Sequence, residues 1–221
     1  MSRLPKSKPK IWSSNFLATT YMLRKTNIKL NIDEPTSRDF VDIRLRYESG
    51  SPIAPKDVPI YPVALYFKYP DTPESYKKKW RDIFQVQLGL VVVSGRMKDQ
   101  LQEFNLCETS FRELPLFEND QNTPRPEGPF FLMHILQFQD AFVPELSENV
   151  EKLKNVDKWR PAITSDVLAV NPDAVGDADL WMDHRIENRV FFSDRLRQAI
   201  KDAKFRTYGL SFKACKVVAN P

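Results

Sequence analysis

Glycine is scarce in this chain, with six in 221 residues, well under the roughly 7% share of an average protein. Loops that cradle phosphates and turns that expose a catalytic side chain are built on glycine. Composition therefore leans away from an enzyme. Histidine and cysteine are almost absent too, at two of each. His134 and His184 stand 50 residues apart, and Cys107 and Cys215 are isolated, whereas structural zinc takes four Cys or His ligands at close spacing. A metal centre and a disulfide framework are excluded on that count. No apolar run approaches the about 18 residues of a membrane helix. Ile11–Tyr21 follows a basic tip, but Ser13, Ser14, Asn15, Thr19 and Thr20 make it too polar for the core of an export signal. The expectation is a cytoplasmic protein with no membrane contact, no metal and no cofactor.

What the chain does hold is ordinary globular material, 42% hydrophobic and 28% charged, enough for one large domain or two small ones. Lys and Arg number 33 against 29 acids, a formal charge of +4. So mild an excess permits contact with nucleic acid or anionic lipid without arguing for either. The first thirty residues, however, carry Arg3, Lys6, Lys8, Lys10, Arg24, Lys25 and Lys29 and not one acid.

Asp39–Tyr47 alternates polar and apolar positions and predicts a half-buried strand, as does Val63–Tyr69. Pro52, Pro55, Pro59 and Pro62 interrupt regular structure between them. PLFENDQNTPRPEGP, residues 115–129, has four prolines and no apolar periodicity, the marks of a linker. It divides the chain into an N-terminal α/β lobe, 1–120, and a C-terminal lobe, 126–221.

An internal repeat supports two similar lobes. VVVSGRMKDQL at 91–101 aligns without gaps with VFFSDRLRQAI at 190–200, and Ser94 and Ser193 lie 99 residues apart. Trp80 and Trp181 precede the two copies, each with an aspartate two residues on, Asp82 and Asp183. Three β-favouring residues suit a buried strand end, and a serine there caps the first turn of a helix by accepting orphan N–H groups. The predicted fold is α+β, with each lobe a strand–Ser–helix unit packed on a small mixed sheet.

Neither serine fits catalysis. A nucleophile elbow, G-x-S-x-G, needs small residues two positions to either side of the serine, and Val92-Val93-Ser94-Gly95-Arg96 and Phe191-Phe192-Ser193-Asp194-Arg195 lack them there. His134 lies in an apolar run, and no P-loop, dinucleotide fingerprint or EF-hand is present. What remains is charge. Asp173, Asp177, Asp179, Asp183 and Glu187 surround Trp181, the makeup of a surface with steering acids and an aromatic anchor for a basic partner. Lys77-Lys78-Lys79-Trp80-Arg81 follows several aromatics, a pattern also found in single-strand binders, although Asp71, Glu74 and Asp82 dilute it.

Several segments together resemble a bacterial polymorphic-toxin immunity family, largely known as a domain of unknown function. They are Gly89–Leu101, Phe131–Ser147, Val167–Trp181 with its Val-Gly-Asp-Ala-Asp run, and Arg189–Phe212 with FFSDRLRQAI. The resemblance implies a non-catalytic immunity protein, or antitoxin, that binds and neutralises a cognate toxin or effector of interbacterial competition. It carries no catalytic residues with it, argues against nucleic acid as partner and leaves a homodimer open. The competing reading of the residues is a basic nucleic-acid-binding or regulatory module.

Overall fold

The computed structural model describes residues 10–18, 26–51, 60–162 and 165–218. Arg3, Lys6, Lys8, Arg24 and Lys25 of the basic start, and Pro52, Pro55 and Pro59, lie outside the described residues. In chain order, β1 (Ile11–Ser14) and β2 (Thr26–Leu30) precede helix α1 (Ser37–Glu48). Strand β3 (Pro62–Phe67), the single turn α2 (Glu74–Lys77), β4 (Ile83–Gln85), β5 (Val91–Ser94) and α3 (Gly95–Leu101) follow. Next come β6 (Ser110–Glu113), β7 (Leu116–Phe117) and β8 (Phe130–His134). The rest holds β9 (Val150–Lys152), β10 (Trp159–Pro161), β11 (Ala169–Val170) and β12 (Leu180–Trp181). It ends with β13 (Val190–Ser193), α4 (Asp194–Asp202), β14 (Lys213–Ala214) and β15 (Lys216–Val217).

The fold is α+β, and its two largest sheets are built alike. One runs β4-β5-β8-β6 and the other β12-β13-β1-β14, all antiparallel. In each, the second strand leads through its serine into a helix, β5 into α3 and β13 into α4. The third strand arrives from far along the chain. Strand β8 comes from beyond the prolines to pair with β5, and β1 comes from the N-terminal side to pair with β13. Pairing thus crosses the expected 120/126 division twice, and each lobe takes a strand from the other's stretch of sequence.

Burial joins the two sheets. One apolar cluster contains Val91, Val92, Val93, Met97 and Leu101 together with Val190, Phe192, Leu196 and Ile200. A second cluster covers the opposite face of the second sheet with Ile11, Phe142, Trp181 and Phe191. A strand buried on both faces reads as an unbroken apolar run, which is why Val190-Phe191-Phe192 has no polar position.

Two expectations are corrected. Asp39–Tyr47 is not a strand but most of helix α1. Thr36 caps it, accepting from the Asp39 N–H while the Asp39 carboxylate accepts the Thr36 N–H, a reciprocal capping box. Ile43 and Tyr47 face the core at helical spacing, leaving Val41 and Leu45 exposed at 54% and 58%. The alternation in the sequence was real, but two of its apolar residues lie on the solvent side. The 115–129 stretch is likewise no loose spacer. Arg125 pairs with Glu118, Glu127 and Glu74, and its N–H donates to the Leu116 carbonyl, which closes the loop on itself and fastens it to α2.

Candidate partner interface

The two repeat units hold each other through a matched pair of aspartates. Ser94 Oγ accepts from the Met97 N–H and donates to Asp82, whose other oxygen accepts from Arg96 at 2.9 Å. In the second unit Ser193 Oγ accepts from the Leu196 N–H and donates to Asp179, and Arg195 donates to both Asp179 oxygens at 2.6 Å. Each aspartate then reaches across to the loop behind the other unit's helix. Asp82 accepts the Arg206 N–H at 2.7 Å and its own N–H donates to the Arg206 carbonyl. Asp179 makes the same exchange with Asn105, at 2.9 Å through its carboxylate. Burial alone would raise the Asp82 carboxyl, but hydrogen bonds from Ser94, the Arg206 N–H and Arg96 outweigh it and hold the group below the usual carboxylate range.

This geometry corrects the repeat as read from sequence. The partner of Asp82 is Asp179, not Asp183, because the second hairpin is longer by two residues. Trp181 therefore matches Phe84 in the first sheet, and the apparent equivalence of Trp80 and Trp181 is coincidental. Both serines cap helices while spending their protons on a structural carboxylate.

The acidic segment divides into buried and exposed parts. Trp181 is fully buried, stacked on Phe191 with centroids 5.7 Å apart, so it is a core residue and not an exposed anchor. Asp179 and Asp183 are 1% and 2% exposed. Asp183 accepts the Phe142 and Arg185 N–H groups and pairs with the Arg185 guanidinium, tying the segment at Phe142 to the turn after β12. These acids are spent inside because each has donors aimed at it. Asp173 and Asp177 remain exposed, and Glu187, half-buried, pairs with Arg160 at 3.1 Å.

Asp183 and Glu187 also line an open cleft of about 620 Å³, together with Arg44, Tyr47 and Glu48 of α1. Leu17, Leu88, Ile135, Phe138, Met182 and Ile186 give it an apolar lining, and Arg44, Glu48, Lys158 and His184 bring charge and polarity to it. The His184 ring lies parallel to Phe138 at 3.7 Å. Leu88 holds φ at 67° beside Gly89, a left-handed conformation that is rare for leucine. Apolar lining with polar groups around it is the anatomy of a contact surface. Sequence reasoning missed this cleft because its residues come from widely separated stretches of chain.

Other chemically suggestive side chains are committed elsewhere. Burial pushes His134 down to about 4, and its Nε2 donates to the Tyr47 carbonyl at 3.2 Å under a stacked Tyr47 ring. Burial pushes the Cys215 thiol up to about 12, and Cys107 is raised as well, by burial and then by Asp177 and Asp179. Lys77, from the basic run, is buried against Glu118 and Glu74, so that run is not a continuous cationic platform. Among the described residues no group of three or more His, Cys, Asp and Glu side chains is placed to hold a metal ion. No described helix is long and apolar enough to cross a membrane.

No curated protein matches the chain. Its sequence does match the immunity protein family Imm11 over residues 20–217, a span that includes both repeat units, both aspartate exchanges and nearly all of the cleft, and the chain belongs to that family.

Proposed function

We propose that this protein neutralises a cognate bacterial toxin by binding it in the cytoplasm, without catalysis. The observation that carries this reading is the family match across nearly the whole chain. The side chains support it. The two repeat serines cap helices, and His134 sits neutral in the core. A protein that acts by occlusion needs only a complementary surface, usually about 600–1,000 Å² on its side, with a few aromatic or arginine anchors.

Of the acidic segment only Asp173, Asp177 and Glu187 reach the surface, since Asp179, Trp181 and Asp183 are buried, so it loses the aromatic anchor that a docking face would need. The basic nucleic-acid module loses support with Lys77 withdrawn into ion pairs.

The test is co-production of the chain with the toxin encoded beside it, followed by calorimetry with the purified pair. Restored growth and a tight complex are expected. Loss of toxicity without a complex would point to chemistry on the toxin or its product, and no protection at all would refute the immunity role.

A further inference from the structure

The two aspartate exchanges share their backbone hydrogen bonds, and this makes each a control for the other. Behind α3, the Leu106 N–H donates to the Phe104 carbonyl and the Thr109 N–H to that of Leu106. Behind α4, the Thr207 N–H donates to the Phe205 carbonyl and the Leu210 N–H to that of Thr207. The loops therefore correspond in these hydrogen bonds, Phe104 to Phe205 and Asn105 to Arg206, although Cys107 and Lys204 hold φ at 50° and 51° where Tyr208 and Glu103 do not. Whatever the fold itself requires should recur in both.

The side chains around the two exchanges do not recur. Glu103 in one loop stands where Lys204 stands in the other, Asn105 where Arg206 stands, and Cys107 where Tyr208 stands. The residue before each aspartate differs as well, Ala178 against Arg81. Around Asp179 the surface is mixed, with Asp177 and Glu108 exposed near Arg195, whose counterpart beside Asp82 is Arg96. Around Asp82 it is cationic and aromatic. Arg81 lies over the Tyr208 ring at 4.8 Å, and Tyr208 remains 64% exposed. Lys204 and Arg206 are exposed beside it, and Lys78 and Lys79 precede Arg81. The exchange at Asp179 forms without any of these groups, so the fold does not demand them.

We propose that the surface formed by Arg81, Lys204, Arg206 and Tyr208 is where the toxin docks, and that it receives an acidic face of that toxin. Arginine and tyrosine are among the residues most enriched where interface energy concentrates. The Arg206 side chain is available for this because its backbone, not its guanidinium, holds Asp82. A positive patch of this kind steers an acidic partner into place and selects against basic ones. The proposal rests on the immunity reading and adds the sign of the partner's surface.

The test uses the purified, inactivated toxin encoded beside this chain, with Arg81→Glu plus Arg206→Glu as one variant and Tyr208→Ser as another. Asp173→Lys plus Asp177→Lys is the comparison, and thermal melting checks each fold. If a charge-reversed variant does not fold, Arg81→Gln plus Arg206→Gln replaces it. At low salt the arginine variant is expected to lose affinity by about tenfold or more, mainly through slower association, with the difference shrinking as salt rises. Tyr208→Ser is expected to dissociate faster, and the aspartate variant to bind no worse than the parent. If the parent binds the toxin and the arginine variant binds equally well, the docking surface is wrong while the immunity reading stands. If the parent does not bind, both fall. A fluorescent single-stranded 20-mer is run in parallel. Oligonucleotide binding that the arginine variant loses, with toxin affinity unchanged, would overturn the proposal in favour of phosphate recognition.

Discussion

Replacing Asp179 with alanine removes the acceptor that four donors share. Its carboxylate takes hydrogen bonds from Ser193, from the Asn105 N–H at 2.9 Å and from two nitrogens of Arg195 at 2.6 Å. The donors contribute unequally. The Arg195 side chain is 64% exposed and returns to water at little cost, so its share is under about 1 kcal/mol despite the short distances. Hydrogen bonds to a charged acceptor contribute about 1.5–3 kcal/mol each, and the Asn105 N–H and the Ser193 hydroxyl each lose one. The expected destabilisation is about 3–6 kcal/mol. At about 2–4 °C per kcal/mol for a chain of this size, melting falls by roughly 6–24 °C. Urea denaturation followed by circular dichroism and tryptophan fluorescence reads it directly, with a lower midpoint and an unchanged slope. Asp82→Ala should follow the same pattern, because Asp82 receives Ser94, Arg96 and the Arg206 N–H. A cost below about 1 kcal/mol for Asp179→Ala, less than one such hydrogen bond contributes, would refute the view that the exchange joins the two units.

Ser94→Ala and Ser193→Ala each lose a helix cap, about 0.5–2 kcal/mol, and the hydrogen bond to a charged aspartate, about 1.5–3 kcal/mol, and should cost about 2–5 kcal/mol in urea titrations, while the variants, once folded, bind toxin as the parent does. Trp181→Ala should cost about 3–5 kcal/mol as a large core truncation and lower the melting temperature; unchanged stability with weakened toxin binding would restore Trp181 as a surface anchor. Burial holds His134 at about 4 against about 6.5 for a free histidine, so as pH falls the unfolded chain takes up that proton first. Its contribution is full above about pH 6.5 and is lost by about pH 4, a decline of about 3 kcal/mol. Urea midpoints at pH 7, 5.5 and 4.5 should drop for the parent and much less for His134→Gln, and parallel declines would assign the acid sensitivity elsewhere. Asp82, held below the usual range, is expected to add its own loss only below about pH 4.

The amino-acid sequence alone determined the parts whose signals are local. A strand of three apolar residues ending in a serine, followed by an apolar face at helical spacing, needs only backbone propensity and an orphan N–H to satisfy. Hence the two strand–Ser–helix units, and the capping role of Ser94 and Ser193, are legible in the chain itself. The α+β class follows from the same patterns. Helix α1 was misread because period two and period 3.6 both pass through Ile43 and Tyr47, and the deciding signal was the Thr36–Asp39 box. Tertiary structure decided what joins distant stretches of chain: the exchange of β1 and β8, the matching of Asp82 with Asp179 rather than Asp183, and the cleft beside α1. It also decided which charges face water. Asp177 and Asp179 are two residues apart in one acidic run, yet one is exposed and the other is enclosed by Ser193, Arg195 and Asn105. Burial of a carboxylate depends on donors brought from elsewhere in the chain, and no local pattern encodes where they will stand.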